Sequence, residues 1–235
     1  MLAIGGAPVQ IDQIQLGPWC SPDERGFGLV SQFNTIAGFP MGIMVDVRTG
    51  KRFCNELADR KERTDAILGL MENGKPVYPV CFTDSKGVAK AQTLKNGLKY
   101  GVIKKFDTLE DLAKAYGIPA KPFVEQVARF NEMVKAKDDK EFHRSLALAI
   151  VLDKAPFYAC CVWPKVHYCM GGVGITKNAE VYGIDGSVIP GLYACGEVTG
   201  GTHGASRLGG CAIADGLVMG RVAAESVLKA KPAAI

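Results

Sequence analysis

Beyond residue 170 glycine becomes dense, and one block there constrains the fold more than any other stretch. It reads GLYACGEVTGGTHGASRLGGCAIADG: an apolar run over 192–195, a glycine loop, and a helix-forming segment over 212–229. Glycines permit positive φ and let a backbone approach a flat ligand closely. A helix start adds free N–H groups and a positive dipole end. That arrangement suits a ligand edge that becomes negative on reduction, such as the N1–C2=O edge of a flavin. Glycine density alone does not separate such a site from a bare loop.

Polar residues sharpen the reading. Glu197 directly follows the strand, where a carboxylate can accept from ribose or ribityl hydroxyls. Arg207 sits in a run of small residues, GASRLGG, with little for its stem to pack on. A planar anion is then its natural partner. His167 precedes Met170-Gly171-Gly172. A lone histidine is more often a satisfied core residue than a ligand, and His143 and His203 are read the same way.

The rest of the chain reads as ordinary globular protein of 235 residues, 48% hydrophobic and 22% charged. No apolar run approaches the roughly 20 residues of a membrane span. The net charge of +4 is small and scattered, which argues against nucleic acid. Eight cysteines include no C-x-x-C pair, so zinc ribbons, iron–sulfur runs and haem attachment are not indicated, and no metal site is expected. They are expected to be buried reduced thiols, in a cytoplasmic or anaerobic setting. No signal-peptide pattern opens the chain.

Residues 1–17 read as a short strand after a small-residue turn, and 19–39 as loop. Residues 42–54 alternate around Thr49-Gly50 as a hairpin, followed by a helix through Ala66-Ile67-Leu68 and a strand over 77–82. Asp107-Thr108-Leu109-Glu110 is a capping-box pattern, and Leu109, Leu112, Ala113 and Tyr116 continue it as a helix stopped at Gly117. Phe123, Val127, Phe130 and Val134 mark a second amphipathic helix. Residues 135–144 read as a charged, solvated loop. Asp185-Gly186 turns a second hairpin. Gly216 and Gly220 suggest close packing of the last helix on a sheet.

The string HYCMGGVGIT…VIPGLYACGEVTGGTHGASRLGGCAIADGLVMGRVAAE resembles the C-terminal part of the flavin-dependent fumarate reductase and flavocytochrome c family. Urocanate and related 2-enoate reductases belong to the same group. GKRFCNELADRKERTDAIL resembles that family's clamp motif, and TLEDLAKAYGIPAKPFVEQVARFNEMV its two clamp helices. The resemblance implies an α+β fold: a clamp (capping) domain over 18–166, with 1–17 and 167–235 belonging to a Rossmann-like FAD-binding domain. It implies FAD as cofactor and Arg60 as proton donor. It places His167, Arg207 and Gly210 on a substrate carboxylate and Tyr168, Glu197, Ala212 and Ile213 on the flavin. The implied reaction adds hydride to the β-carbon of an α,β-unsaturated carboxylate and a proton to its α-carbon.

Two departures qualify that expectation. Fumarate-reducing members carry a His in a Q-A-H-P-T-like stretch, where this chain has Gln15-Leu16-Gly17-Pro18-Trp19. They also carry a Thr-Glu pair upstream of the donor arginine, where this chain has Thr35-Ile36, so proton resupply falls to Asp59, Lys61 or Glu62. A substrate with one carboxylate, or with a bulky tail, therefore fits better than fumarate. The second departure is the missing G-x-G-x-x-G turn that would hold the FAD pyrophosphate. The FAD site is thus expected to be incomplete here and completed by an N-terminal half or a separate polypeptide, with an external electron donor. The competing readings are a clamp-fold remnant that only binds a ligand or partner, and a dehydrogenase of ring ketones. The latter relies on a tyrosine base, which Arg60, His167 and Arg207 argue against.

Overall fold

The structure is a computed structural model that describes residues 1–26, 28–91 and 94–230. Along the chain run β1 (Pro8–Val9), β2 (Ile14–Gly17), a π-helical turn (Phe33–Gly38), α1 (Phe39–Met41), β3 (Ile43–Asp46), β4 (Lys51–Arg52) and α2 (Arg60–Leu68). Then come β5 (Val80–Asp84), α3 (Leu94–Lys99), β6 (Lys104–Phe106), α4 (Leu109–Tyr116), α5 (Ala120–Ala136) and β7 (Phe157–Cys161). The last stretch holds β8 (Lys165–Cys169), β9 (Gly172–Val173), β10 (Glu180–Tyr182), β11 (Val188–Tyr193) and α6 (Cys211–Lys229). The chain divides into two compact units, Met1–Leu16 with Val166–Ile235, and Gly17–Lys165. No described helix is long and apolar enough to cross a membrane.

The unit Gly17–Lys165 is built on a five-stranded antiparallel sheet in the order β4-β3-β5-β7-β6. Strand side chains alternate between faces, and here both faces are covered. Ile43, Val45, Val80 and Phe82 point to a core closed by Leu112, Phe123, Val127 and Phe130 of α4 and α5. Met44, Cys81 and Cys160 point the other way, against Trp19, Phe33 and Ile67. Every residue of β3 and β5 is consequently buried, which is why 77–82 reads as an unbroken apolar run rather than an alternating one.

Four sequence expectations change. The 19–39 loop contains a π-helical turn and α1, because Phe33, Ala37 and Phe39 bury one face of it. The α4 cap is Thr108 with Asp111, one residue beyond the expected pair. The Thr108 Oγ accepts from the Asp111 amide at 3.0 Å and donates to the Asp111 carboxylate at 2.7 Å. Only some cysteines are buried: Cys20, Cys54, Cys81 and Cys160 are, whereas Cys169 is exposed. Burial pushes the Cys20 and Cys54 thiols up to about 12, so both stay protonated.

The largest change concerns 135–144. Asp139 and Arg144 are not solvated; they are 3% exposed and belong to a buried ion network. Glu56 Oε2 lies 2.7 Å from Arg52 Nη2 and 2.8 Å from Arg144 Nη1, and Asp139 Oδ2 lies 2.8 Å from Arg52. Glu56 also accepts from the Met44 amide, and Arg144 donates to the carbonyls of Phe39 and Gly42. Charges from two stretches more than eighty residues apart neutralise one another, which no local pattern announces. Burial alone would raise the Asp139 pKa, but its hydrogen bonds and attraction to Arg52 outweigh this and hold it below the usual carboxylate value.

A depressed folded-state pKa contributes stability that is present above the unfolded value and lost as pH falls through the folded one. Asp139→Asn is expected to cost about 3 kcal/mol at neutral pH, as breaking a buried pair does, and to flatten the stability loss below about pH 4. Urea unfolding across pH checks both. An unchanged midpoint and acid limb would remove Asp139 from the network.

The unit Met1–Leu16 with Val166–Ile235 holds three strand pairs, β1 with β9, β2 with β8 and β10 with β11, all short. Its small core is Val173, Val181 and Ala194 with Ile175, Ile189 and Leu192. The hairpin expected at Asp185-Gly186 forms, with Gly186 at φ +82°. Helix α6 packs on β11 and the 3-10 turn Gly196–Val198, with the Sγ of Cys195 3.7 Å from where a Gly220 Cβ would stand. No α6 side chain is buried, and Ile213, Leu217 and Leu228 are 70%, 71% and 86% exposed.

Candidate functional site

Three of the residues singled out in the sequence meet in the second of these units. Arg207 Nη2 lies 2.9 Å from His167 Nε2, and its guanidinium stands 4.2 Å from the centre of the Tyr168 ring. A guanidinium has donors and no acceptor, so His167 Nε2 accepts and the ring is neutral with its proton on Nδ1. Arg207 Nη1 also donates to the Leu208 carbonyl. Gln15 Nε2 donates to the Arg207 carbonyl at 3.0 Å and sits 3.4 Å from the Ser206 hydroxyl. The Gln15 amide therefore helps to fix the backbone of the arginine loop. Arg207 is 6% exposed, a buried cation in contact with an imidazole, a backbone carbonyl and an aromatic face.

The remaining polar residues surround this cluster. Tyr168 is buried, its edge facing the His203 ring at 5.6 Å. Desolvation first, then the charges of Glu197 and Asp215, raise the Tyr168 pKa, so the phenol stays protonated. His203 Nε2 lies 3.8 Å from the carboxylate of Asp215 on α6. Glu197 Oε1 accepts from the Cys169 amide at 2.9 Å, next to Tyr168 in the chain. Gly210 caps α6 at φ +85°, a conformation L side chains rarely adopt, with open space where a Cβ would stand. Ala212 and Ile213 follow in the first turn. Sequence reading missed Gln15 and the His203–Asp215 pair; only the histidine inside the glycine loop could have signalled the latter. His143 is exposed at φ +53°, not a core residue.

Arg60 belongs to the unit Gly17–Lys165. It opens α2, directly after Asp59, whose carboxylate caps the helix by accepting from the Lys61 amide at 2.7 Å. Its guanidinium lies 4.9 Å from the centre of the Trp19 ring. Lys61 is engaged with Asp65 on the surface. Arg60 thus stands at the N-terminus of α2, the positive end of its dipole, beside the Asp59 carboxylate. Among the described residues no group of three or more His, Cys, Asp or Glu side chains could hold a metal ion.

The family model described as "FAD binding domain" matches residues 1–213. The chain belongs to the FAD-binding domain family. It is 46% identical over 233 residues to the acrylate reductase flavoprotein subunit of Shewanella woodyi, covering 98% of this chain and 46% of that protein. It is 40% identical over 227 residues to a cytochrome-type fumarate reductase of Shewanella frigidimarina, covering 96% of this chain and 38% of that one. In three dimensions it is similar to the open conformation of a flavocytochrome c3 fumarate reductase, with a TM-score of 0.71 and 34% identity, covering 97% of this chain and 38% of the other. The chain thus spans under half the length of these relatives.

FAD is the cofactor of the family, and the α6 start of this FAD-binding domain has the chemistry for a flavin edge. The Ala212 N–H has no hydrogen-bond partner among the described residues. Gly210 leaves room above the first turn, and the apolar side chains of Ile213 and Leu217 face outward. An unpartnered amide at a positive helix end suits an electron-rich carbonyl edge. The chain contains no glycine-rich turn of the pyrophosphate-binding type.

The Arg207 contact fixes the His167 tautomer in a way that can be read directly. Long-range proton–nitrogen NMR spectra of the full protein at pH 7.5 are expected to show His167 as neutral with its proton on Nδ1. An Nε2–H signal, or a doubly protonated ring, would contradict the pairing.

Proposed function

We propose that this chain is the substrate-facing part of an FAD-dependent reductase that saturates the C=C bond of a monocarboxylate 2-enoate. The observation that carries the reading is the His167–Arg207 pair at 2.9 Å. An imidazole that spends its lone pair on the arginine puts two kinds of N–H donor side by side, on Arg207 and at His167 Nδ1. Such a cluster binds a carboxylate. Gly210 lines the same pocket, and its missing side chain keeps the approach open.

When bound, FAD supplies the hydride that the β-carbon receives. The α6 N-terminus with Ala212 and Ile213, together with Tyr168 and Glu197, would hold the flavin. Arg207 and His167 stabilise the negative charge that develops on the substrate carboxylate, each charged hydrogen bond contributing roughly 1.5–3 kcal/mol. Arg60 delivers the proton to the α-carbon. Arginine is a poor acid in water, with a pKa above about 12, but a carbanion-like centre is basic enough to take its proton once geometry is fixed. The Trp19 face holds the guanidinium flat.

The single-carboxylate preference is supported by Ile36 where a relay acid would stand and by the stretch Gln15-Leu16-Gly17-Pro18-Trp19, which has no histidine. It agrees with the 46% identity to a protein named for acrylate reduction. The exposed apolar residues of α6 would be covered by the dinucleotide-binding half of the complete enzyme, and electrons would come from an external donor.

The test uses the full-length holoprotein. Arg60→Lys is expected to abolish acrylate reduction while leaving the bound-flavin absorbance intact, and the wild type is expected to reduce acrylate in preference to fumarate. Activity surviving in Arg60→Lys would overturn the donor assignment. Faster turnover of fumarate would overturn the monocarboxylate assignment.

A further inference from the structure

One helical turn beyond Arg60, at i+3, α2 carries a second arginine that the mechanism above does not use. Arg63 is half-buried, with its guanidinium 5.1 Å from the centre of the Phe39 ring. Its Nη1 donates to the backbone carbonyl of Glu56 at 3.2 Å. Its Nε is buried with no hydrogen-bond partner among the described residues, and no carboxylate lies within ion-pairing distance of it. The Glu56 carboxylate nearby is already taken by Arg52 and Arg144. Arg63 also lines a cavity of about 340 Å³ with Cys54, Asn55, Ala58, Glu62 and Ala66. A buried cation without a counter-ion is costly to a fold, and packing on Phe39 could be done by an uncharged side chain. The charge therefore needs another reason.

We propose that Arg63 is a positioning residue for proton transfer: its uncompensated charge, one turn from Arg60 on the same helix, makes Arg60 a readier proton donor. The inference rests on Arg60 being the donor. The physical basis is reciprocity. Side chains three residues apart on a helix are neighbours, and in a partly desolvated site two like charges each disfavour the other's charged form. Burial is the main cause that lowers the Arg63 pKa; the charge of Arg60 lowers it as well, against smaller opposing effects of Cys54, Asp59 and Cys81. The same repulsion acts on Arg60. The groups facing Arg63 from the surrounding elements do not cancel it. Cys54 and Cys81 are buried thiols whose pKa burial raises. Arg144 adds positive charge that Glu56 already balances; Asp59, which caps α2, attracts Arg63 and Glu62 lines the same cavity, yet the Arg63 pKa stays lowered. Once Arg60 has given up its proton the repulsion vanishes, so the field favours the products of the transfer step.

The test is made on the full holoenzyme reducing acrylate. Arg63→Gln removes the charge and keeps a donor of similar reach. It is expected to lower kcat about tenfold, the equivalent of about one pKa unit of lost acidity in Arg60. The KM should stay within about twofold and the solvent deuterium isotope effect on kcat should rise as proton transfer becomes slower. Arg63→Lys restores the charge and is expected to recover most of the activity. Ala66→Glu, one turn further along and lining the same cavity, pairs Arg63 without removing it and is expected to slow turnover likewise. It keeps the test open if Arg63→Gln does not fold. If the variants fold and turn over like wild type while Arg60→Lys is inactive, the tuning role fails and the donor assignment stands. Equal losses in Arg63→Gln and Arg63→Lys with an unchanged isotope effect would make Arg63 merely structural. Activity surviving in Arg60→Lys would instead remove the donor reading itself.

Discussion

A fully buried carboxylate must be given cations, and Glu56 has two. Its oxygens hold Arg52 and Arg144 within 2.8 Å and receive the Met44 amide. Through those bonds it joins β3, β4, the segment that leads into α2, and the loop that follows α5. The desolvation cost of such a group exceeds any single ion pair's gain, so the network persists only because every member is satisfied at once. The position of Arg60 follows from it. Only three residues separate Glu56 from Arg60, and the Asp59 cap fixes where the helix begins. A chain held this tightly at residue 56 has little freedom at residue 60.

The unit Met1–Leu16 with Val166–Ile235 is built differently. Arg207 is buried beside an imidazole, a phenol ring and a backbone carbonyl. In the other unit Arg63, whose Nε has no hydrogen-bond partner among the described residues, stands out against its saturated neighbours Arg52 and Arg144.

Much of this was legible in the sequence where the signal is local. The hairpin over 42–54, helices α4 and α5, the Asp185-Gly186 turn and the strand–glycine–helix block leading into α6 follow from period, caps and turn chemistry. The His167 and Arg207 assignment came from a family resemblance, and their mutual contact depends on residues forty positions apart. What local patterns could not reveal was long-range pairing. Residues 135–144 look like a solvated loop because Asp139 and Arg144 find their partners at Arg52 and Glu56. The helical turn at Phe33–Gly38 is hidden by glycine and proline around it, and only the burial of Phe33 and Phe39 explains it. Gln15 was noticed only as the start of the stretch that has no histidine, not for the arginine-loop carbonyl it holds.

The most direct measurement is a crystal structure of the complete holoprotein with propionate, the saturated product of acrylate. The account expects the carboxylate on Arg207 and His167 Nδ1, with its α-carbon within about 4 Å of an Arg60 nitrogen, close to the near-attack range for a transferring proton. A carboxylate bound elsewhere, or an α-carbon that the Arg60 guanidinium does not reach, would contradict it.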